Sequence, residues 1–296
     1  MKPGNPLASL LLAMTVSALP VAVPAQMLDA DSAFTRIHLA SKLSKNSQLV
    51  ARLSCFIFAG VDVATHREQL SLAVEDFNRS RQALIDGDPD LGILAERSQR
   101  IRNAVSEVGD GWTELSRLVL AIADGQDISP GLMAEIDLYS DSLLERTNAL
   151  NTRIANVYGE EVKTMPLILT LTLDMAGRQV TRMETASKEA CLIGTGIDVA
   201  SNSQELENTI TLFNATLEAL INGYPGLIMA APTDEIRRDL DILKANWEGP
   251  KRALTGLYRG EEIQNADRQR LAGQLEEISR NLGVLIEEYE SYHMSN

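Results

Sequence analysis

Cys55-Phe-Ile-Phe-Ala-Gly-Val-Asp-Val-Ala64 and Cys191-Leu-Ile-Gly-Thr-Gly-Ile-Asp-Val-Ala200 are two versions of one phrase, set 136 positions apart. The correspondence runs on without a gap through Leu70/Leu206, Phe77/Phe213, Asn78/Asn214, Leu84/Leu220, Gly87/Gly223, Pro89/Pro225 and Leu91/Leu227. Over positions 55 to 91, 15 of 37 pairs are identical, which is a duplication rather than chance. One residue is then lost, and Trp112 pairs with Trp247 at an offset of 135. Most of the chain is therefore two copies of one module of about 135 residues, an ordinary domain size.

Each copy reads as four helices. Leu206, Ile210, Phe213, Leu217 and Leu220 recur at three- and four-residue steps, as do Ile236, Leu240, Leu243 and Trp247, and Leu271, Leu275, Ile278, Leu282, Leu285 and Tyr289. The first copy repeats the pattern in Leu70, Val74, Phe77 and Leu84, in Ile101 to Ile122, and in Leu132, Ile136, Tyr139 and Leu143. Connectors carrying Gly60, Gly87-Asp-Pro-Asp, Gly125 and Gly223-Tyr-Pro-Gly fall where helices should stop. Short connectors make neighbours antiparallel, so each copy is expected to be an up-down four-helix bundle. Pro250 falls inside a helix and is expected to kink it. The alternation from Leu167 to Leu173 could pass for a strand, but with no partner strand it reads as helix.

The 41 Asp and Glu against 27 Lys and Arg give a net charge of −14, a field that repels nucleic acid. Two cysteines and three histidines lie far apart in the chain, so no metal cluster or Cys/His nucleophile pair is indicated, and no cofactor is expected. No P-loop, dinucleotide-binding glycine pattern or nucleophile elbow is present, which argues against an enzyme. Trp112 and Trp247 sit on helical seams and read as core. Asn78-Arg-Ser and Asn214-Ala-Thr are formal glycosylation sequons, but both lie inside helices beside Phe77 and Phe213 and read as accidents of a repeated helix. Glu160-Glu161 and Glu261-Glu262 read as solvated charge pairs.

The expected division is a signal peptide over 1–25, a first module over 26–158, a linker over 159–167 and a second module over 168–296. Lys2, the uncharged stretch Leu7 to Leu19 and Val23-Pro24-Ala25 have the form of a secretory signal, which implies a periplasmic protein without a membrane span after cleavage. An uncleaved anchor is the alternative, weakened by Pro20 and Pro24. The first helix of each copy, about 32 to 59 and 168 to 195, is more polar along its stripe than the other helices. Two readings fit: a solvated face, or a polar surface that meets a partner helix around a ligand.

Ala176-Gly177-Arg178-Gln179, with Lys188-Glu189-Ala190 nine residues further on, a phenylalanine in helix two and a tryptophan in helix three, resembles the N-terminal domain of PilJ-type chemotaxis transducers of type IV pili. That family is similar to the sensor domain of nitrate/nitrite-responsive histidine kinases. There, two arginines of a symmetric dimer hold the anion between subunits. In gapless alignment the family's Arg-Met falls on Val180-Thr181 and Ser44-Lys45, while Arg182-Met183 stands two residues on, a rotation of roughly 200°.

The resemblance implies a sensory module that takes a small ligand between the first helices of the two copies, for instance an oxyanion such as nitrate or nitrite. The candidate residues are Arg178, Arg182, Lys42, Lys45, Asn46 and Gln179, since guanidinium forks suit planar oxyanions. With no output domain following in this sequence, such a module would signal through a partner, a membrane-bound transducer or a transporter component. A ligand-free interaction protein of the envelope is the competing class. Arginines paired with Asp174 or Glu184 would favour it.

Four antiparallel helices return the chain to its starting end, so the two first helices should run parallel. The expected fold is all-α: two tandem four-helix bundles packed side by side as a pseudo-two-fold dimer. Cys55 and Cys191 would then be related by the pseudo-axis and could close a disulfide. An end-to-end arrangement would instead leave two buried thiols.

Overall fold

The computed structural model describes residues 30–161, 167–263 and 265–294. Within them the helices follow as α1 Ala30–Phe58, α2 Val63–Asp86, α3 Gln99–Ala123, α4 Pro130–Glu161, α5 Leu167–Thr195, α6 Val199–Asn222, α7 Asp234–Tyr258 and α8 Asn265–Met294. The fold is all-α. Helix α1 packs on α2 and α4, and α3 closes the ring against both. The second copy repeats this, with α5 on α6 and α8 and with α7 against both, and α1 packs on α5 to join the two rings. The expected signal segment and most of the expected linker lie outside the described residues. No described helix is long and apolar enough to cross a membrane.

The duplicated phrase makes the same turn twice. Gly60 and Gly196 take φ of 73° and 80°, and two residues later Asp62 and Asp198 take 34° and 37°. These left-handed positions suit Gly and tolerate Asp, so they turn α1 into α2 and α5 into α6 alike. The repeated Gly-x-Pro-x-Leu connectors hold short extended pieces that periodicity does not anticipate. Strands β1 Gly87–Asp88 and β2 Ile93–Leu94 pair antiparallel around a 3-10 turn, and Tyr224 bridges Ile228 in the second copy. A Cβ on Gly87 would stand 2.5 Å from the carbonyl carbon of Leu94, which makes glycine obligatory there.

Within each ring the core follows the helical seams. Phe77 stacks on Trp112 with ring centroids 3.9 Å apart, and Phe213 meets Trp247 at 4.5 Å. The indole N–H of Trp112 donates to Asn78 Oδ1 at 2.9 Å and that of Trp247 to Asn214 Oδ1 at 2.8 Å. The two sequon asparagines thus have a structural role apart from any sequon: each accepts from the one polar side-chain atom of a core tryptophan. Leu167 to Leu173 is helical, as its lack of a partner strand requires. Helix α7 runs unbroken through Pro250.

Cys55 and Cys191 form a disulfide, with the sulfurs 2.07 Å and the Cα atoms 6.1 Å apart. It joins the C-terminal turns of α1 and α5 and closes a loop of 136 residues. On the chain-entropy estimate, a loop of that length stabilises the fold by about 4–5 kcal/mol. Unfolding of the Cys55→Ser/Cys191→Ser double variant in urea should show a loss of that size. A loss below about 1 kcal/mol would show that the α1–α5 seam holds without its staple.

Candidate functional site

Helices α1 and α5 lie parallel, residue n beside residue n + 136. Ser41 meets Gly177, Thr185 Oγ1 donates to Gln48 Oε1 at 3.4 Å, Arg52 reaches Glu184, and Cys55 is bonded to Cys191. Gly177 permits the approach, because a Cβ there would come within 2.9 Å of Ser41 Oγ. This seam overturns the solvated-face reading of the two polar helices. Asn46, Ser47, Gln48 and Arg52 of α1 are buried, as are Gln179, Thr181, Glu184, Thr185, Lys188 and Glu189 of α5. Periodicity fails there because α5 is surrounded by α1, α4, α6 and α8 and has almost no outward face.

Charges buried in such a seam must find partners. Arg52 Nε lies 2.9 Å from Glu184 Oε2, both side chains under a tenth exposed, and Ser279 of α8 donates to the same carboxylate at 3.4 Å. Position 188 is the repeat counterpart of 52 and is also cationic. Lys188 Nζ, fully buried, lies 2.7 Å from Asp137 and 2.6 Å from Asp141 on α4. Burial alone would lower the Lys188 pKa, but Asp141 and Asp137 outweigh it and keep the ammonium charged. Neighbouring Glu189 is buried with one oxygen accepting from Thr209 at 3.2 Å and Oε2 unpartnered. Burial raises its carboxyl well above the usual range, against the opposing charge of Lys188. Burial likewise raises Asp141, and Glu205 on α6.

The six candidate ligand residues do not form one site. Lys42, Lys45 and Asn46 line a groove of about 510 Å³ between α1 and α2 on one side and α5 and α8 on the other. Arg178, Gln179 and Arg182 face away from it, toward α4 and α6. The reason is the pseudo-two-fold: equivalent side chains off its axis point to opposite sides of the seam. Arg178 Nε pairs with Asp174 at 2.9 Å and Nη2 donates to Thr152 of α4. Gln179 is buried and donates to the Phe213 carbonyl. Arg182 donates to Gln179 and to Thr216 of α6 and, among the described residues, forms no ion pair. Burial, with the charge of Arg178, lowers its pKa to about 10.

In the groove, Lys42 Nζ lies 2.7 Å from Asp76 Oδ1 and Asn46 donates to Asp76 Oδ2 at 2.8 Å. Burial raises Asp76, but the hydrogen bonds from Lys42 and Asn46 prevail and hold it below its ordinary value. Arg280 and Glu276 of α8 lie 3.9 Å apart at the opposite wall. Lys45 forms no ion pair among the described residues. The packing on the other face differs. There α4 also lies against α5, whereas α8 has no comparable packing on α1. Among the described residues no cluster of three His, Cys, Asp or Glu is placed to hold a metal ion.

Sequence reading missed Lys188, Glu189 and their partners on α4 as the centre of the buried network. The signal that could have found them is the cation shared by positions 52 and 188. No protein-family model matches the chain, and no curated protein matches it significantly.

Because folding raises the Glu189 pKa, the native state keeps a proton that the unfolded chain releases from about pH 4.5 upward. Native stability therefore falls as pH climbs through that window, and the full penalty persists above the native pKa. Glu189→Gln should remove this slope and stabilise the protein by about 1–3 kcal/mol at pH 8, with little gain at pH 4. Urea unfolding at the two pH values checks it.

Proposed function

We propose that the protein is a non-enzymatic, periplasmic ligand-binding module that takes a small molecule in the groove between α1–α2 and α5–α8 and passes the signal to a partner. The observation that carries this reading is the groove itself. Its volume of about 510 Å³ lies within the range of small-molecule sites, and charged side chains converge on it beside apolar ones. Both repeats contribute walls, so an occupant touches α1 and α2 of one bundle and α5 and α8 of the other. Such a ligand biases the relative position of the two bundles wherever it binds one arrangement better than another. The resemblance of Ala176-Gly-Arg-Gln to PilJ-type sensor domains supports the sensory part of the reading. The placement of the groove moves the ligand away from Arg178 and Arg182.

A second reading has its own observation. Arg178 is neutralised by Asp174 and Arg52 by Glu184, the pairing expected of helices that only hold one another. In that case the protein is a ligand-free interaction module of the envelope.

Thermal unfolding against a chemically diverse set of small metabolites separates the two. A groove ligand at about 100 times its Kd adds roughly 2.7 kcal/mol, a shift of a few degrees for a protein of this size. The shift should vanish in Val180→Trp, which fills the groove from α5, and survive in Arg182→Ala on the opposite face. If nothing in the set stabilises the protein, the interaction reading takes over.

A further inference from the structure

Taking the groove as the ligand site, we infer that its occupant is an amphiphilic organic monoanion, with a carboxylate or sulfonate head at Lys45 and an apolar body lying along Leu49, Leu53 and Val180. The charge lining the groove sets the head. Its cations are Lys42, Lys45, Arg52 and Arg280, and its anions are Asp76, Glu184 and Glu276, which leaves one positive charge over. Three of those cations already have carboxylates: Lys42 with Asp76, Arg52 with Glu184 and Arg280 with Glu276. Lys45 is the surplus. Burial, with Lys42 and Lys45, lowers the His38 pKa against the opposing charges of Glu287 and Asp76, so the exposed ring adds no charge at neutral pH. A single unpaired ammonium matches a single negative charge, whereas a phosphate dianion would call for a second free cation or a free guanidinium fork.

The walls set the body. Leu49, Leu53, Leu72, Ala73, Val180 and Ile286 line the same space. Leu72 is 57% exposed at its edge, a large apolar side chain without cover. At roughly 30 Å³ of liquid volume per water, a groove of about 510 Å³ would stay largely wet around a bare inorganic oxyanion. An alkyl or aryl body displaces that water from apolar walls and supplies the driving force, while Lys45 fixes its direction. A chain of net charge −14 repels anions that bind by charge alone, so the apolar walls must carry the affinity.

The test is calorimetric titration of the protein with decanoate, decanesulfonate, decyltrimethylammonium and nitrate, each kept below its micellar concentration and at constant ionic strength. Decanoate and decanesulfonate should bind one to one. Lys45→Gln should weaken both tenfold or more, and Lys45→Glu should turn the preference toward decyltrimethylammonium; melting temperatures of the variants confirm that they fold. Arg182→Gln should change nothing. If decyltrimethylammonium binds wild type as well as decanoate does and Val180→Trp blocks it, the groove is still a ligand site but the anionic head is wrong. If nitrate binds as tightly as decanoate, the apolar body is wrong. Decanoate affinity unchanged in Lys45→Gln overturns the assignment of the head. Absence of binding by every amphiphile of either charge overturns this inference, and the ligand reading with it if the metabolite set also fails.

Discussion

Everything in the molecule depends on two parallel helices that carry charges into the seam between them. Taking Arg52, Glu184 and Lys188 out of water costs several kcal/mol for each ion, and only close partners offset it. Arg52 therefore needs Glu184 from the other repeat, and Lys188 needs Asp137 and Asp141 from α4. A slip of one residue along the seam would leave these charges buried without partners, a penalty far larger than any local gain. The polar seam thus sets the register that the disulfide then locks. Hydrophobic faces alone would specify it less sharply, since apolar side chains tolerate sliding where charges do not.

Covalent duplication allows the two sides of the seam to differ, which an identical pair of subunits could not. On one side, the cation at 188 finds two carboxylates on α4, and α4 lies against α5. On the other, the position equivalent to Asp137 is Ala272 and that equivalent to Asp141 is Glu276. Arg52 there turns across the seam to Glu184, while Glu276 stays with Arg280 on its own helix. With no carboxylate pair pulling α8 onto α1, the space between them remains as the groove. The two junctions of one molecule thus pack their outer helices differently.

The fold was legible because it rests on signals that survive in one sequence. A 136-residue offset with identical glycines, prolines and aromatics revealed the repeat, and helical periodicity gave the elements. Even the pairing of Cys55 with Cys191 follows once the copies are set side by side. The site was less legible for a geometric reason. Lys42 and Arg178 occupy equivalent positions, so sequence reading treats them as neighbours, yet a two-fold parallel to the helices sends off-axis side chains to opposite faces. Polar residues on a helix also look solvated until its surroundings are known. Thr170, Thr172, Gln179 and Thr181 are buried because four other helices cover α5, and no periodicity in α5 itself records that.

The pairing of arginines with carboxylates weighs against an anion site at Arg178, but it does not weigh against the groove. Neutralised pairs such as Lys42 with Asp76 form a polar rim that fixes geometry without repelling or attracting a ligand strongly. What distinguishes a site from a scaffold is then a polar group left over where apolar surface is also left over. In the groove both remain, as the ammonium of Lys45 and the uncovered side of Leu72. On the opposite face Arg182 forms no ion pair among the described residues, but its Nη1 donates to Gln179 and Thr216 and α4 lies close by. Unpaired charge and uncovered apolar surface thus lie together on the groove side.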